Sequence, residues 1–410
     1  MNLTIDRLGH LGHGIAQGPT GPIYVPGVLP GEAVSGELAG DRLDGLRIVT
    51  PSASRVRPPC SHARSCGGCQ LQHATDDFVA TWKREVVCTA LAAQGLSPDV
   101  VREGVLTSPA RSRRRATLAA RKTKGGALVG FHARGSEVII PVPSCLLLHP
   151  DLMALLPAVE ALAKTGGSRS QELAVTLTRS LAGPDVRVEG GKALAGTLRM
   201  DLARLAEAHG LARLTWGEET VALRAQPEVQ LGRTRIKLPP GAFLQATEAG
   251  EAALLAAVKE ALGPQKRLAD LFAGIGTFAL PLADEAEVWA LEAEAEMVAA
   301  LDKAARGAQG LKPVTAEKRD LFRRPLEPEE MRGLTGLVID PPRAGAEAQA
   351  ERLAAGPVPV IAMVSCNPAS FARDARILTA GGYVLDWVQV VDQFRWSHHV
   401  ELAARFHRTG

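Results

Sequence analysis

Aromatic side chains are scarce in this chain. Phe, Trp and Tyr make up 4% of its 410 residues, which excludes an extended platform on which single-stranded nucleic acid stacks base by base. Long apolar runs are missing too. No stretch reaches the roughly 18 residues a membrane helix needs, and the opening MNLTIDRLGHLGHG lacks the charged-then-apolar layout of a signal segment. The expectation is a protein of the cytoplasm with no membrane partner. One-sided charge is absent as well: a formal net charge of +3 is ordinary for an enzyme and does not by itself indicate nucleic acid. Cysteines number only six, and in a cytosolic setting they point to metal binding or catalysis rather than disulfides.

What remains is a chain that is 46% hydrophobic, with enough apolar material for two or three packed domains. A monomer is expected. Between Arg111 and Lys124, in RSRRRATLAARKTK, seven of fourteen residues are basic. Such a run suits phosphate-backbone contacts, or equally a solvated strand face.

Three regions differ in pattern. Residues 1–58 carry many glycines and short apolar runs broken by PG and GP turns, as a small β-barrel would, or a structural spacer. Residues 59–240 combine a cysteine cluster, an amphipathic helix near Asp76 to Gln94, and strand-like stretches at Ala116 to Ala120, Leu128 to His132 and Val138 to Pro141. They read as a mixed α+β central domain. From 241 to 410 strands and helices alternate through KRLADLF, AEVWALE, GLVID, PVIAMVS and YVLDWVQVV, which predicts an α/β fold with a parallel, doubly wound, Rossmann-like sheet.

The first of those strands runs into LADLFAGIGTFAL, where Asp270 closes the strand and Gly274 and Gly276 open the turn. Glycines there let a ligand approach the backbone. Gly274, Gly276 and Ala279 also satisfy the dinucleotide spacing, so the flanks must decide. A carboxylate four positions before the first glycine would repel a pyrophosphate but suits a cationic amino-acid ligand, which favours S-adenosylmethionine. Glu292 ends the second strand, placed to accept two ribose hydroxyls, and Asp320 follows the third, placed for adenine. Each acid could instead be a helix N-terminal residue.

The fourth strand, Leu337 to Asp340, leads into Pro341, Pro342 and Arg343. Two prolines stiffen the exit and hold Asp340 at the carboxyl edge of the sheet, where ligands bind in such folds. A purely structural turn is the alternative. The fifth strand, Pro359 to Ser365, delivers Cys366 to that same edge, followed by Asn367 and Pro368. A strand end beside a helix N-terminus favours the thiolate, and a thiolate is what carbon 5 of a pyrimidine requires. Thiolate addition at carbon 6 turns an unreactive carbon 5 into a nucleophile, and a base must later remove the carbon-5 proton. The tail VDQFRWSHHVELAARF offers Glu401, His398 and His399 for that task.

Cys60, Cys66 and Cys69 stand as C-x5-C-x2-C, with Cys145 far downstream. Four such thiolates can hold either a structural Zn²⁺ or a [4Fe–4S] cluster. Cys88, inside the predicted helix, reads as a core residue.

Taken together and in this order, LFAGIGTFAL, DPPRAG, SCNP and HVE resemble the S-adenosylmethionine-dependent RNA uracil-5 methyltransferase family. The resemblance extends over nearly the whole chain. It implies Cys366 as nucleophile, Glu401 as base and Asp340 on the floor of the site. It implies a cofactor shell of Gln245, Asp270, Phe272, Gly274, Gly276, Glu292, Asp320 and Asp340. For Cys60, Cys66, Cys69 and Cys145 it implies iron-sulfur rather than zinc, and for residues 1–58 a TRAM-like RNA-binding barrel. The implied partner is RNA, with 23S rRNA of the uridine-1939 type first and transfer-RNA uridine 54 second. Thr247, Arg395 and Ser397 stand where the family usually has Asn, Pro and Thr. Two other classes compete: a non-catalytic RNA-binding or ribosome-assembly factor, and a cytosine-5 methyltransferase, whose nucleophile would sit near the fourth-strand turn, where this chain has DPPR.

Overall fold

In a computed structural model describing residues 1–409, the chain builds outward from an eight-stranded sheet. Its order is Val314–Lys318, Glu287–Glu292, Arg267–Leu271, Gly336–Ile339, Val360–Ser365, Glu401–Arg408, Tyr383–Asp392 and Leu106–Thr107. The first five strands are parallel and lie in the sequence order 3-2-1-4-5. Strand order therefore reverses between Arg267–Leu271 and Gly336–Ile339, and a ligand crevice opens at the carboxyl ends of such a pair. Ala269, Leu271, Leu337 and Ile339 face one apolar layer, and Leu268, Val338 and Ala362 face the other, so helices cover both sides.

The sheet is not parallel throughout, as the alternation predicts. Glu401–Arg408 runs antiparallel between Val360–Ser365 and Tyr383–Asp392. A hairpin return needs only the short segment 393–400, whereas a parallel return would need a crossover of a dozen or more residues. This reversal is what brings Glu401 back to the carboxyl edge.

The helix Asp76–Ala93 is capped by Thr75, whose hydroxyl accepts from the N–H of Phe78 at 3.3 Å, and two acids sit in its first turn. Val87 and Leu91 on this helix join the apolar layer under the eight-stranded sheet. The short strand Leu106–Thr107 extends the edge of that sheet.

A separate seven-stranded sheet runs Ile139–Pro141, Ala127–His132, Arg115–Lys122, Leu173–Thr178, Asp185–Glu189, Arg213–Trp216 and Glu219–Leu223. Helices Leu156–Gly166 and Leu198–Ala208 pack on it through Val159, Leu162, Leu202 and Ala206. At the N-terminus two three-stranded sheets close around Leu3, Ile5, Ile23, Val25 and Val34. Among the described residues no helix is long and apolar enough to cross a membrane.

The basic run is only partly available for phosphate. Arg114 is buried, its Nε donating to the Gln245 carbonyl at 3.0 Å and its Nη2 to Glu251, and Arg113 lies over the Phe394 ring at 5.2 Å. Both precede the strand Arg115–Lys122 and are held by these contacts, which leaves Arg111 and Lys124 as the exposed cations of that segment.

Candidate active site

At the switch point, Asp270 is fully buried; neither carboxylate oxygen makes a well-formed hydrogen bond, and the Ala279 N–H is the backbone donor that partly offsets its burial. Burial drives its pKa well above the ordinary carboxylate range, and Asp340 adds to the push, as does Glu292. Three acids thus crowd one crevice, an arrangement that suits a cationic ligand. The loop after Asp270 is shaped for close approach. Phe272 adopts φ 64° and Gly274 φ 55°. A Cβ on Gly274 would meet nothing within 4 Å, whereas one on Gly276 would stand 2.5 Å from Leu301 Cδ1. The first glycine faces open space and the second packs against the helix Ala295–Gly307. These residues fit S-adenosylmethionine, whose sulfonium and ammonium would relieve the crowding of the acids.

Glu292 spans the loop, accepting from Gly274 N–H and Glu294 N–H at 2.9 Å each. Phe272 packs on the exposed Phe322, with ring centroids 5.4 Å apart. Asp320 closes the turn that follows it, its Oδ1 accepting from Phe322 N–H at 3.0 Å.

Cys366 follows the end of Val360–Ser365, and Asn367 caps the next helix through a 3.2 Å bond from Ala369 N–H. Asn367 Nδ2 and Ser370 Oγ both donate to the Arg343 carbonyl, at 2.8 and 3.1 Å, and so lash the SCNP turn to the DPPR turn. The thiolate-favouring surroundings expected of this position are not what the free protein provides. Burial pushes the Cys366 thiol up to about 11; Glu401 and Asp340 raise it further, while Arg343 opposes them. Burial first, and the two carboxylates after it, outweigh Arg343.

Burial also lifts Asp340 to about 7, although the residue keeps some surface open to the cleft. Glu401, the first residue of its strand, is 5% exposed. Burial raises it to about 8, with help from Asp340 and Asp392 and against Gln393 and Lys83. His399 is pushed down to about 4 and His398 also downward, mainly by burial, so both are neutral near pH 7. Gln245 belongs to the same cluster: its Oε1 accepts from Gln393 Nε2 at 2.5 Å, and that nitrogen also donates to Glu401.

Cys60, Cys66, Cys69 and Cys145 line one small cavity with Phe131, Val142 and Leu147. The N–H of Gly68 points at Cys66 Sγ (3.4 Å) and that of Leu147 at Cys145 Sγ (3.5 Å), as N–H groups do around metal-bound sulfur. Burial pushes the Cys69 thiol up to about 12, and Cys145 and Cys66 raise it further, so four thiolates here would need a cation among them to offset their charge. Among the described residues no group of three or more His, Cys, Asp or Glu is gathered to hold a single metal ion. The four thiols surround a cavity instead. Cys88 is half-buried on its helix, packed against the main core.

Residues 213–408 match the model of the tRNA (Uracil-5-)-methyltransferase family. An uncharacterized RNA methyltransferase of Rhizobium meliloti is 42% identical over 410 residues, covering 98% of both chains. One of Caulobacter vibrioides is 43% identical over 418 residues, covering 99% of this chain and all of the relative. The 23S rRNA (uracil(1939)-C(5))-methyltransferase of Halomonas elongata is 34% identical, covering 97% of this chain and 88% of its own. The chain belongs to the RNA uracil-5 methyltransferase family. It is an S-adenosylmethionine-dependent RNA (uracil-C5)-methyltransferase. The fold agrees: the tRNA (uracil-54, C5)-methyltransferase of Pyrococcus abyssi superposes with a TM-score of 0.75 over 99% of this chain and all of its own, at 23% identity.

Against the usual pattern of this methyltransferase family, the three departures are structurally absorbed. Thr247 caps the helix Glu248–Leu262, its hydroxyl accepting from Gly250 N–H at 2.9 Å. Arg395 pairs with Asp76. Ser397 Oγ donates to the Phe394 carbonyl at 2.8 Å and accepts from His399 N–H at 3.2 Å. Two residues of the uracil-5 methyltransferase site escaped the sequence reading. Gln393 links Gln245 to Glu401, and the buried Lys83 binds Asp392 at 2.5 Å. The one available signal was a polar Asp-Gln pair ending the apolar run VQVV.

Proposed function

We propose that this enzyme methylates carbon 5 of one uridine in 23S rRNA, with Cys366 as nucleophile and Glu401 as the base. The observation that carries the mechanism is the convergence of Cys366, Asp340 and Glu401 beside the acid-lined crevice: all three are raised by burial, Glu401 and Asp340 raise the Cys366 thiol further, and Asp340 raises Glu401. S-adenosylmethionine, when bound there, supplies an electrophilic methyl group on a cationic sulfur. Asp270, Glu292 and the Gly274 loop would hold it, with Phe272, Gly276, Asp320, Gln245 and Asp340 completing its surroundings.

Cys366 reacts as its thiolate, with its proton in the solvent, and Sγ bonds carbon 6 of the uracil, moving electron density to carbon 5. Once carbon 5 carries the methyl group, Glu401 takes the carbon-5 proton. The electron pair left behind re-forms the ring double bond as the carbon 6–sulfur bond breaks, and Cys366 leaves as thiolate. A base whose pKa is held at about 8 is well matched to that transfer at neutral pH. Lys83 and Gln393 hold the turn and the side chain that present it.

For the substrate, the Halomonas relative's activity on 23S rRNA supports the ribosomal reading, since the similarity covers 97% of this chain. Residues 1–58 act as an RNA-binding barrel, residues 59–240 hold a [4Fe–4S] cluster on Cys60, Cys66, Cys69 and Cys145 beside RNA contacts, and residues 241–410 carry the chemistry. The family model's own description favours transfer RNA as the second reading. Labelled S-adenosylmethionine with each unmodified RNA decides between them. Label in 5-methyluridine of 23S rRNA alone is expected; label in transfer RNA alone would overturn the substrate, and label in neither the function.

A further inference from the structure

We propose that Gln393 is a positioning residue whose single side-chain amide holds Glu401 ready to act as a base and turns the Gln245 amide so that its N–H₂ faces the ligand. The inference rests on Glu401 being the base, and it gives a role to a residue that the sequence reading did not single out.

The amide's orientation follows from one bond. The backbone N–H of Thr247 can only donate, and it meets Gln393 Oε1 at 3.3 Å. The other end of the amide is therefore nitrogen. Its two hydrogens go to two acceptors, Gln245 Oε1 at 2.5 Å and Glu401 Oε2. With Oε1 of Gln245 used in this way, its Nε2 is the end left over. That nitrogen has no hydrogen-bond partner among the described residues, yet is not a buried orphan. Gln245 thus presents a donor, which suits a carbonyl or carboxylate oxygen and not an amino group.

Burial gives the arrangement its force. Gln393 and Gln245 are each 3% exposed and Glu401 5%, so water cannot readily replace a lost bond. The rotamer of Gln393 is fixed by contact with a glycine. A Cβ on Gly250 would stand 2.6 Å from Gln393 Cβ and 2.9 Å from its Oε1.

Donation to Glu401 favours the ionised carboxylate, against burial and against Asp340, which follows the strand Gly336–Ile339. The remaining charged neighbours are Asp392 from Tyr383–Asp392, Lys83 from the helix Asp76–Ala93, and the Cys366 thiol, whose own acidity Glu401 perturbs. On Glu248–Leu262, Glu251 is paired with Arg114.

The test is Gln393→Met, which keeps the length and removes the donor, in the full-length protein. Two readouts are taken from pH 6 to 10. The first is an infrared titration of the Glu401 carboxyl, assigned as the band that Glu401→Gln removes. The second is the rate of product release after a single turnover. A midpoint moved upward by about one unit and release slowed about tenfold at pH 7 are expected. Cys366 should still form its adduct with 5-fluorouridine RNA. Should Gln393→Met melt far below the parent, Gly250→Ala displaces the same side chain without altering its chemistry and should move the midpoint in the same direction. An unchanged infrared midpoint in a folded variant overturns the proposal, as does slower release without a shift. The infrared titration reads the contact even if the protein methylates no RNA, so failure of the wider function is separately visible.

Discussion

Lys83 Nζ lies 2.5 Å from Asp392 Oδ1, joining residues 309 positions apart inside a pocket closed to solvent. The same ammonium donates to the carbonyls of His399 and Phe394, at 2.8 and 3.2 Å. One helical lysine thus fixes both ends of the turn that leads into Glu401. Its removal would leave a buried carboxylate and two carbonyls without their cation, at a cost of about 3–5 kcal/mol. Lys83→Met should therefore lower stability by about that amount in urea unfolding. Lys83→Met combined with Asp392→Asn should recover part of the loss. Equal losses in the single and double variants would show the pair to be energetically inert.

For the proposed nucleophile, Cys366→Ala should abolish both methyl transfer and the denaturation-resistant adduct with 5-fluorouridine RNA. Glu401→Gln removes only the later proton transfer, so adduct should accumulate while turnover falls by about 10²-fold or more. Gel shift under denaturing conditions separates the two. Turnover by Cys366→Ala would rule out covalent addition by this residue.

Strand ends proved the readable part of this site. Asp270, Glu292, Asp340 and Cys366 follow apolar runs too short for anything but buried strands, and a parallel sheet brings all such ends to one edge. Glu401 was legible as a residue but not as a place, because nothing in HHVELAARF announces that the last strand inserts between its predecessors. Gln393 and Lys83 were not legible at all. Their roles depend on contacts across 148 and 309 positions of chain, which no local pattern encodes. The acidity of Cys366 was misjudged because the helix end is local, whereas the burial that raises the thiol, and the carboxylates that add to it, come from the packing of other strands.

That acidity can be measured directly. With the thiol held up at about 11, little thiolate exists at pH 7, and alkylation of Cys366 by iodoacetamide should be slow and rise steadily toward pH 11. Glu401→Gln removes a carboxylate that raises the thiol, so its alkylation at pH 8 to 9 should be faster than in the parent. Peptide mass mapping isolates Cys366 from the other cysteines. Faster alkylation in the parent would reverse the sign of the coupling.

Stability should carry the same electrostatic signature. Asp340 and Glu401 are held at about 7 and about 8 in the folded chain, against 3.8 and 4.5 as ordinary carboxyls. The fold therefore binds protons that the unfolded chain releases. The stabilising contribution is complete below about pH 4 and is lost as the pH rises through 7 and 8. In the ligand-free protein, Asp340→Asn should gain stability relative to the parent at pH 9 and not at pH 5. A difference independent of pH would mean that the carboxyl is not strained by its burial.

The cysteine loop reaches the catalytic turn through one carbonyl. Gln70 and Leu71, immediately after Cys69, both donate their N–H groups to the Trp396 carbonyl, at 2.9 Å each. Trp396 itself sits at φ 60°, a conformation a bulky residue holds only when its surroundings impose it. Its indole adds a 3.2 Å bond to Asp76. Trp396 lies between Lys83's two carbonyl contacts in sequence, so whatever group orders Cys60, Cys66, Cys69 and Cys145 also steadies the approach to Glu401. Cys66→Ser should accordingly speed hydrogen–deuterium exchange at residues 70–71 and 394–400 together, while strands such as Arg267–Leu271 keep their protection. Loss of protection confined to the cysteine loop would mean that the Trp396 carbonyl transmits nothing, and that the thiol site serves local folding alone.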